Sequence, residues 1–532
     1  MAPESPAIRD EVRTAEVIGA LCLATDLGMG LPFEHGLQST VFAMRIADSL
    51  GVDDETAAQI YYGCQLFYVG CTVDAEISSE LFGDGVLLTN FNPVMFGSPI
   101  QTLAGIIGSL ASSGGTPPGK AFRVATMLPK ALIGHRRHVT ALCEVAQMLS
   151  ERLGMPYAVG GLFDHFTERW DGKGQPGELK GQDIPLSLRV IHVARDAALQ
   201  RMIGGDEYAA RLVRERGGGA FDPAIAARLV QDAGDILAFD DEQSAWGEVL
   251  AAEPGPQLML RGEAIDRALA AMGDFADLLS KYLVGHSAGV AQLAGAAAQQ
   301  CGFPPAEVAA IRRAALVHDV GRVGISVRIW QKAAALTPDE WEQVRLHAYH
   351  TERVLSRSPF LARLAPIATF HHERLDGTGY HRGAAAPSLS PAARLLAAAD
   401  TYQTKTEPRP HREALSPPDV ADLLGREARA GRLDGNSVAA VLEAAGQHPP
   451  RLARPAGLTE REAEVVGLLA RGLQTKQVAR TLGISIKTAD RHVQNAYAKI
   501  GVSTRAAATV FAMQHGLTAW GELPMADFGV RP

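Results

Sequence analysis

Apolar positions recur along most of this chain at intervals of three and four residues, the period of a helix with one buried face. The stretch 264–300 carries Ala, Leu and Val at those intervals and is expected as one helix presenting His286. "PPAEVAAIRRAALVHDVGRVG" opens on Pro304-Pro305, which suit a first helical turn. It closes on glycines, so His318-Asp319 falls on its last turn. "TPDEWEQVRLHAYHTERVL" starts with the capping sequence Thr337, Asp339-Glu340 and puts His347 mid-helix. "LAPIATFHHERLDGTGY" ends a helix on His371-His372 and enters a glycine loop, and "PAARLLAAADTYQ" is a helix from Pro391 that presents Asp400. Abundant alanine and few aromatics favour helix, and the expected fold class is all-α.

The C-terminal stretch 458–516 repeats the pattern in shorter elements. Thr459 caps a helix ending near Gly472, with Glu462 in the capping-box position. "TKQVARTLG" is a short helix, Gly483 and Ile484 turn the chain, and Ser485 caps "SIKTADRHVQNAYAKIG". In that last helix Ala489, Val493, Ala496 and Ile500 are spaced to pack inward. Lys487, Thr488, Arg491, His492 and Asn495 face outward.

Pro and Gly mark two linkers, "AAEPGPQLMLRG" at 251–262 and "GQHPPRLARPAG" at 446–457, and a loop at 112–120. They divide the chain into expected domains 1–252, 263–447 and 456–520. A hydrophobic content of 47% and a charged content of 21% are ordinary for a soluble globular protein. Five scattered cysteines form no Cys-x-x-Cys pair and read as reduced thiols. No basic-then-apolar leader opens the sequence, and the longest apolar stretch, "PIQTLAGIIGSLASS", is too short and polar to span a bilayer. A cytoplasmic protein without a membrane partner is expected. The net charge of −8 hides an asymmetry: residues 458–516 hold eight Lys/Arg against four acids, a local basic footprint for phosphates.

The first half reads as a decayed copy of the second. Under a shift of 251, His35 falls on His286, Gly51 on Gly302, Ile60 on Ile311 and Gly70 on Gly321, and Phe67-Tyr68 replace His318-Asp319. Under a shift of 205, "FTERWDGKG" falls on "HHERLDGTG", Phe166-Thr167 replace His371-His372, and Arg195 replaces Asp400. His35 survives, and His135 with His138 mimics the spacing of His347 and His350. A similar fold without a binuclear centre is expected for this half.

His286, His318-Asp319, His347, His371-His372 and Asp400 lie too far apart to meet along one helix, but they can meet where helices of one bundle face inward. Imidazoles bind first-row metals through one nitrogen, and a carboxylate can bridge two. Two such metals lower the pKa of a shared water and orient it for attack on phosphorus. Arg322, one turn after the pair, is placed to neutralise a phosphate oxygen.

Residues 275–445 resemble the HD-GYP subdivision of the HD phosphohydrolases through "YLVGH", "HDVGRVGI", "EWEQVRLHAYHTERVL", "HHERLDGTGY", "ARLLAAADTY" and "RPHREALSP". The resemblance implies an all-helical domain with two divalent ions, iron or manganese, and hydrolysis of a cyclic dinucleotide such as c-di-GMP. Its ligands would be His286, His318, Asp319, His347, His371, His372 and Asp400, with Asp319 the bridge. Asp319 and Arg322 would serve catalysis, and Asp376, Gly379, Tyr380, Arg409 and Arg412 would hold substrate. The sequence departs from the family at Gly379-Tyr380-His381, at Arg322 in place of lysine, and at Arg409-Pro410-His411-Arg412. Residues 458–516 resemble a four-helix LuxR-type helix-turn-helix. That implies a double-stranded DNA partner, contacts from Lys476, Lys487, Thr488, Arg491, His492 and Lys499, and a homodimer. The expected protein has two tandem HD-type bundles followed by the helix-turn-helix. It regulates transcription and hydrolyses or senses a phosphorylated nucleotide; the alternative is a phosphohydrolase whose DNA-binding tail localises it.

Overall fold

The computed structural model describes residues 10–70, 94–112, 116–447, 455–515 and 517. The fold is all-α, as the periodicity predicts. The one sheet among the described residues has two short strands, Glu11–Arg13 and Met259–Arg261, paired antiparallel. The second strand lies inside the expected linker 251–262, which is therefore tied down rather than free. Arg13 strengthens the tie, donating from Nη2 to the Leu250 carbonyl at 2.7 Å and pairing with Glu253. No described helix is long and apolar enough to cross a membrane.

Two compact units form, and they do not follow chain order. One comprises Met1–Gly285 with Asp319–Arg363, the other His286–His318 with Leu364–Pro532. The expected single helix over 264–300 is two, Glu263–Asp277 and His286–Gln300, and the change of unit falls in the turn between them. Gly285 at φ +80° gives the backbone its new direction there. Apolar spacing runs through the turn unchanged, so periodicity alone does not reveal the break.

Within the first unit the returning segment 319–363 packs on the N-terminal helix Thr14–Gly28. Ser358 donates to Glu16 at 2.5 Å, Arg357 pairs with Glu34 at 2.5 Å, and the Arg353 guanidinium lies 4.1 Å from the Phe33 ring centre. The Thr337/Glu340 capping box forms as predicted and starts the helix Pro338–Leu355. Against it lies the 3-10 turn Val320–Gly324. A Cβ on Gly321 would stand 2.2 Å from the His347 carbonyl oxygen and 2.3 Å from the Thr351 nitrogen, so only glycine permits this approach.

The two halves share local architecture. Helices His35–Leu50 and His286–Gln300 each begin on the aligned histidine, and Gly51 and Gly302 follow them at φ +63° and +74°. Ile60 and Ile311 are both fully buried in the next helix. Glu168 accepts from the Gly177 and Glu178 amides at 2.9 and 2.7 Å, and its counterpart Glu373 accepts from Arg382 and Ala384, each at 2.8 Å. Gly174 and Gly379 both pack so tightly on the preceding backbone that a Cβ would come within 2.4 Å of it.

Where the second half has its predicted ligand residues, the first has a packed cation–aromatic cluster. Arg195 is buried, with its guanidinium 5.2 Å from the Phe67 ring centre and 4.4 Å from that of Tyr68. Phe166 packs 4.9 Å from Phe67 and stacks on Phe163 at 4.5 Å. Burial, reinforced by Arg195, pushes His35 down to about 3. The side chains of His135 and His138 lie outside the described residues.

Nearby His192 is buried with Nε2 2.8 Å from the Phe166 carbonyl oxygen. Burial pushes its pKa down to about 4, against the pull of that hydrogen bond. The folded chain then stays unprotonated here while the unfolded chain takes up a proton below its ordinary value of about 6.5. Stability is lost as pH falls from there toward 4. His192→Gln removes the titration and keeps a donor for Phe166. Thermal melts at pH 7 and pH 5.5 should show wild type losing on the order of 1 kcal/mol more than the variant.

Candidate metal centre and DNA-contact helix

His286, His318 and Asp400 converge in the second unit, all buried, with candidate ligand atoms within 4.8 Å of one another. His286 opens its helix, His318 caps the helix Pro305–Val317, and Asp400 sits inside Pro391–Thr406. The Nε2 atoms of His286 and His318 face Asp400 Oδ1 at 3.4 and 3.8 Å, and His372 Nδ1 lies 3.8 Å from Oδ2. The His371 ring centre is 4.7 Å from that of His318 and 4.1 Å from that of His372. Burial alone would raise Asp400. The facing imidazoles of His286 and His318, with the charges of His372 and His371, outweigh it and hold the carboxyl well below its ordinary range.

In the buried imidazoles of this group the Nδ1 side is engaged. His318 Nδ1 lies 2.6 Å from the Ala315 carbonyl oxygen, and His371 Nδ1 is 2.6 Å from that of Ala368. His286 Nδ1 meets Glu407 at 2.9 Å. Burial pushes Glu407 up, but its hydrogen bond and charge interaction with His286 leave it below its ordinary value. Keeping the proton on Nδ1 leaves Nε2 as the metal-donor atom, the usual arrangement of a metal-binding histidine. The donor set fits a divalent metal: imidazole nitrogens around a buried carboxylate.

The first unit carries the other predicted ligands. Asp319, next in the chain after His318, faces His347 Nε2 at 3.4 Å and pairs with Arg322 Nη2 at 2.6 Å. His347 Nδ1 lies 2.5 Å from the Val344 carbonyl oxygen, the same i−3 pattern. Arg322 is buried and lies 5.3 Å from the Trp330 ring centre; its Nε and Nη1 have no hydrogen-bond partner among the described residues. Trp330 also packs edge-on to His347 at 5.8 Å. Sequence spacing gave no sign of Trp330, which lies outside the ligand motifs.

The predicted substrate residues are engaged locally. Asp376 accepts from the Thr378 amide and hydroxyl at 3.0 and 2.7 Å. Gly379 lies against the Glu373-Arg374 backbone, and the Tyr380 ring packs 4.7 Å from His372. Arg409 donates to Glu407 at 2.9 Å. Arg412 donates to the carbonyls of Thr404, Lys405, Glu407 and Glu413, closing the end of the helix Pro391–Thr406.

The C-terminal stretch forms four helices, Glu460–Ala470, Thr475–Thr481, Ile486–Ile500 and Arg505–Gln514. The Thr459/Glu462 capping box and the Ser485 cap form as read. Ala489, Val493 and Ala496 are buried, and Lys476, Lys487, Thr488 and Arg491 are exposed, with His492 half-buried. Lys499 is also exposed, and its ammonium is 2.6 Å from the buried Glu462 carboxylate. Arg461 donates to the Leu482 carbonyl at 2.6 Å, and Arg505 to those of Leu469 and Leu473. Part of the basic excess is therefore internal bracing.

Residues 271–437 match the HD domain family, and residues 456–512 match the bacterial regulatory proteins of the luxR family. The chain thus joins an HD domain to a luxR-type regulatory domain. It is 28% identical over 441 residues to the 3'3'-cGAMP-specific phosphodiesterase 3 of Vibrio cholerae, covering 81% of this chain and 94% of that protein. A cyclic di-GMP phosphodiesterase of Thermotoga maritima is 38% identical over 129 residues, 24% of this chain and 35% of that one. The crystal structure of a cyclic GMP-AMP specific phosphodiesterase of V. cholerae superposes with a TM-score of 0.57 at 24% identity, over 82% of this chain and 99% of that chain. That likeness defines the fold.

Because Lys499 holds the carboxylate that completes the first cap, Lys499→Ala should destabilise the helix Glu460–Ala470 by about 1 kcal/mol. Lys487→Ala should change it by less than about 0.5 kcal/mol. Amide hydrogen exchange in that helix reads the difference.

Proposed function

We propose that this chain is a metal-dependent phosphodiesterase of a cyclic dinucleotide, coupled to a DNA-binding regulatory domain. The observation that carries the reading is the buried group His286, His318 and Asp400, in which both imidazoles turn Nε2 toward one carboxylate. The named activities of the V. cholerae and T. maritima relatives support the substrate class. His286, His318, His371, His372 and Asp400 in one unit would be metal ligands, as would Asp319 and His347 in the other, for two divalent ions, iron or manganese. When bound, such ions supply a water of low pKa and polarise a phosphoryl oxygen.

The chain's own groups do the rest. The carbonyls of Ala315, Val344 and Ala368 keep three imidazoles in one tautomer, so no reorientation is needed when metal binds. Arg322, fixed by Asp319 and Trp330, retains Nε and Nη1 as donors for a non-bridging phosphate oxygen. The exposed Lys476, Lys487 and Arg491 would meet DNA phosphates and Thr488 and His492 base edges, with two copies reading a paired site. Occupancy of the nucleotide site would then bias DNA binding only through a difference in affinity between two states of the chain.

Manganese- or iron-loaded protein should hydrolyse c-di-GMP or 3'3'-cGAMP, and a His318→Ala/Asp319→Ala variant should fall to background. Wild type that binds metal and turns over neither nucleotide would sink the phosphodiesterase reading in favour of nucleotide sensing. Arg322→Ala should retain wild-type metal content and lose on the order of 100-fold in kcat/KM. A loss of metal instead would assign Arg322 to holding Asp319.

A further inference from the structure

His286 differs from the other buried histidines of the predicted ligand set in how its Nδ1 is satisfied. His318, His347 and His371 each lie three residues after a carbonyl that takes this hydrogen bond. His286 is the first residue of its helix, so no preceding helical turn offers it such a carbonyl. A side chain 121 residues away takes that place: Glu407 Oε2 lies 2.9 Å from His286 Nδ1. Glu407 follows the last turn of the helix that carries Asp400, and its carboxylate is held from two sides. Gln403 donates to Oε1 at 2.8 Å and Arg409 to Oε2 at 2.9 Å. His286 is fully buried and the Glu407 side chain largely so.

We infer that Glu407 is a positioning residue for metal uptake: it keeps the proton of His286 on Nδ1, aims Nε2 at the metal position, and makes His286 a stronger donor. The inference rests on the metal-site reading above. A carboxylate is a stronger acceptor than a peptide carbonyl and shifts electron density onto the imidazole. Its negative charge, in a largely buried place, also offsets that of an arriving dication. Arg409 and Gln403 fix the carboxylate so that its orientation is set before metal binds. Arg409 thereby acts through Glu407 and His286, a different task from the substrate contact expected of it.

The test is a competition titration of Mn2+ against a chelating fluorophore, with metal-free full-length wild type, Glu407→Gln, Glu407→Ala and His318→Ala. Melting of each metal-free protein is measured alongside. Glu407→Ala should weaken Mn2+ binding by about 10- to 100-fold, and Glu407→Gln by a smaller factor of about 10. The metal-free melting temperature of Glu407→Gln should match wild type, because glutamine fills the same volume and still offers an oxygen. A role in packing alone would leave Glu407→Gln at wild-type affinity, and that result overturns the inference while the metal-site reading stands. Wild type that takes up no Mn2+, or His318→Ala that binds as tightly as wild type, overturns both.

Discussion

A buried imidazole has to keep its proton on one nitrogen, and the arrangement of this HD domain depends on how that choice is fixed. With the proton on Nδ1, Nε2 is a lone-pair donor; with the proton on Nε2, the same ring presents an N–H to its neighbours. His318, His347 and His371 take the first form through a carbonyl three residues earlier, a partner that the helical backbone supplies at no cost in extra side chains. The helices thus deliver donor atoms as well as positions. His318 lies at a helix end, and the 3-10 turn that follows is held by the close approach of Gly321 to the helix bearing His347. Asp319 and His347 are brought together by that glycine as much as by their own chemistry.

The degenerate half shows what the same scaffold does without the ligands. Its histidine at the aligned helix start persists, its glycine caps and its buried Glu168 persist, and the positions of His318, Asp319, His371 and Asp400 hold Phe67, Tyr68, Phe166 and Arg195. The guanidinium of Arg195 lies among aromatic faces, with the buried Asp26 carboxylate also attracting it. His35, beside that cation, is pushed toward the neutral form. Phe67, Phe166 and Arg195 therefore act as one replacement: aromatic rings against a cation in one half, imidazoles around a carboxylate in the other.

Features set by local backbone chemistry were legible in the sequence. The caps at Thr337, Thr459 and Ser485 form where they were read, because a capping side chain and its target amide are within three residues. The buried His286, His318 and Asp400 were legible because metal-donor residues stood in an ordered series on apolar helices. The break at 278–285 was not, since apolar spacing continues through it, and neither was the strand Met259–Arg261, which is defined by a partner near the other end of its unit. The interactions of Glu407 and Lys499 were not legible, for a common reason. Their partners, His286 and Glu462, are 121 and 37 residues away, and composition does not tell a charge facing solvent from one facing a buried group.

That distinction bears on how the departures from the family pattern weigh. Gly379 and Arg412 stand in motifs that resemblance assigns to substrate, yet one admits a backbone approach and the other closes a helix end. Residues with such tasks are constrained by the fold whatever the site binds, so their presence argues for the scaffold more than for a particular nucleotide. His381 and His411, by contrast, stand where the family has its proline and tyrosine, and His411 is exposed, its pKa lowered by desolvation and then by the charges of Arg412, Lys405 and Arg409. Three cations around an exposed imidazole make this a positively charged patch of the surface. Under the proposed function, selectivity would rest on the positions where the sequence departs from its family, and metal binding on those where it does not.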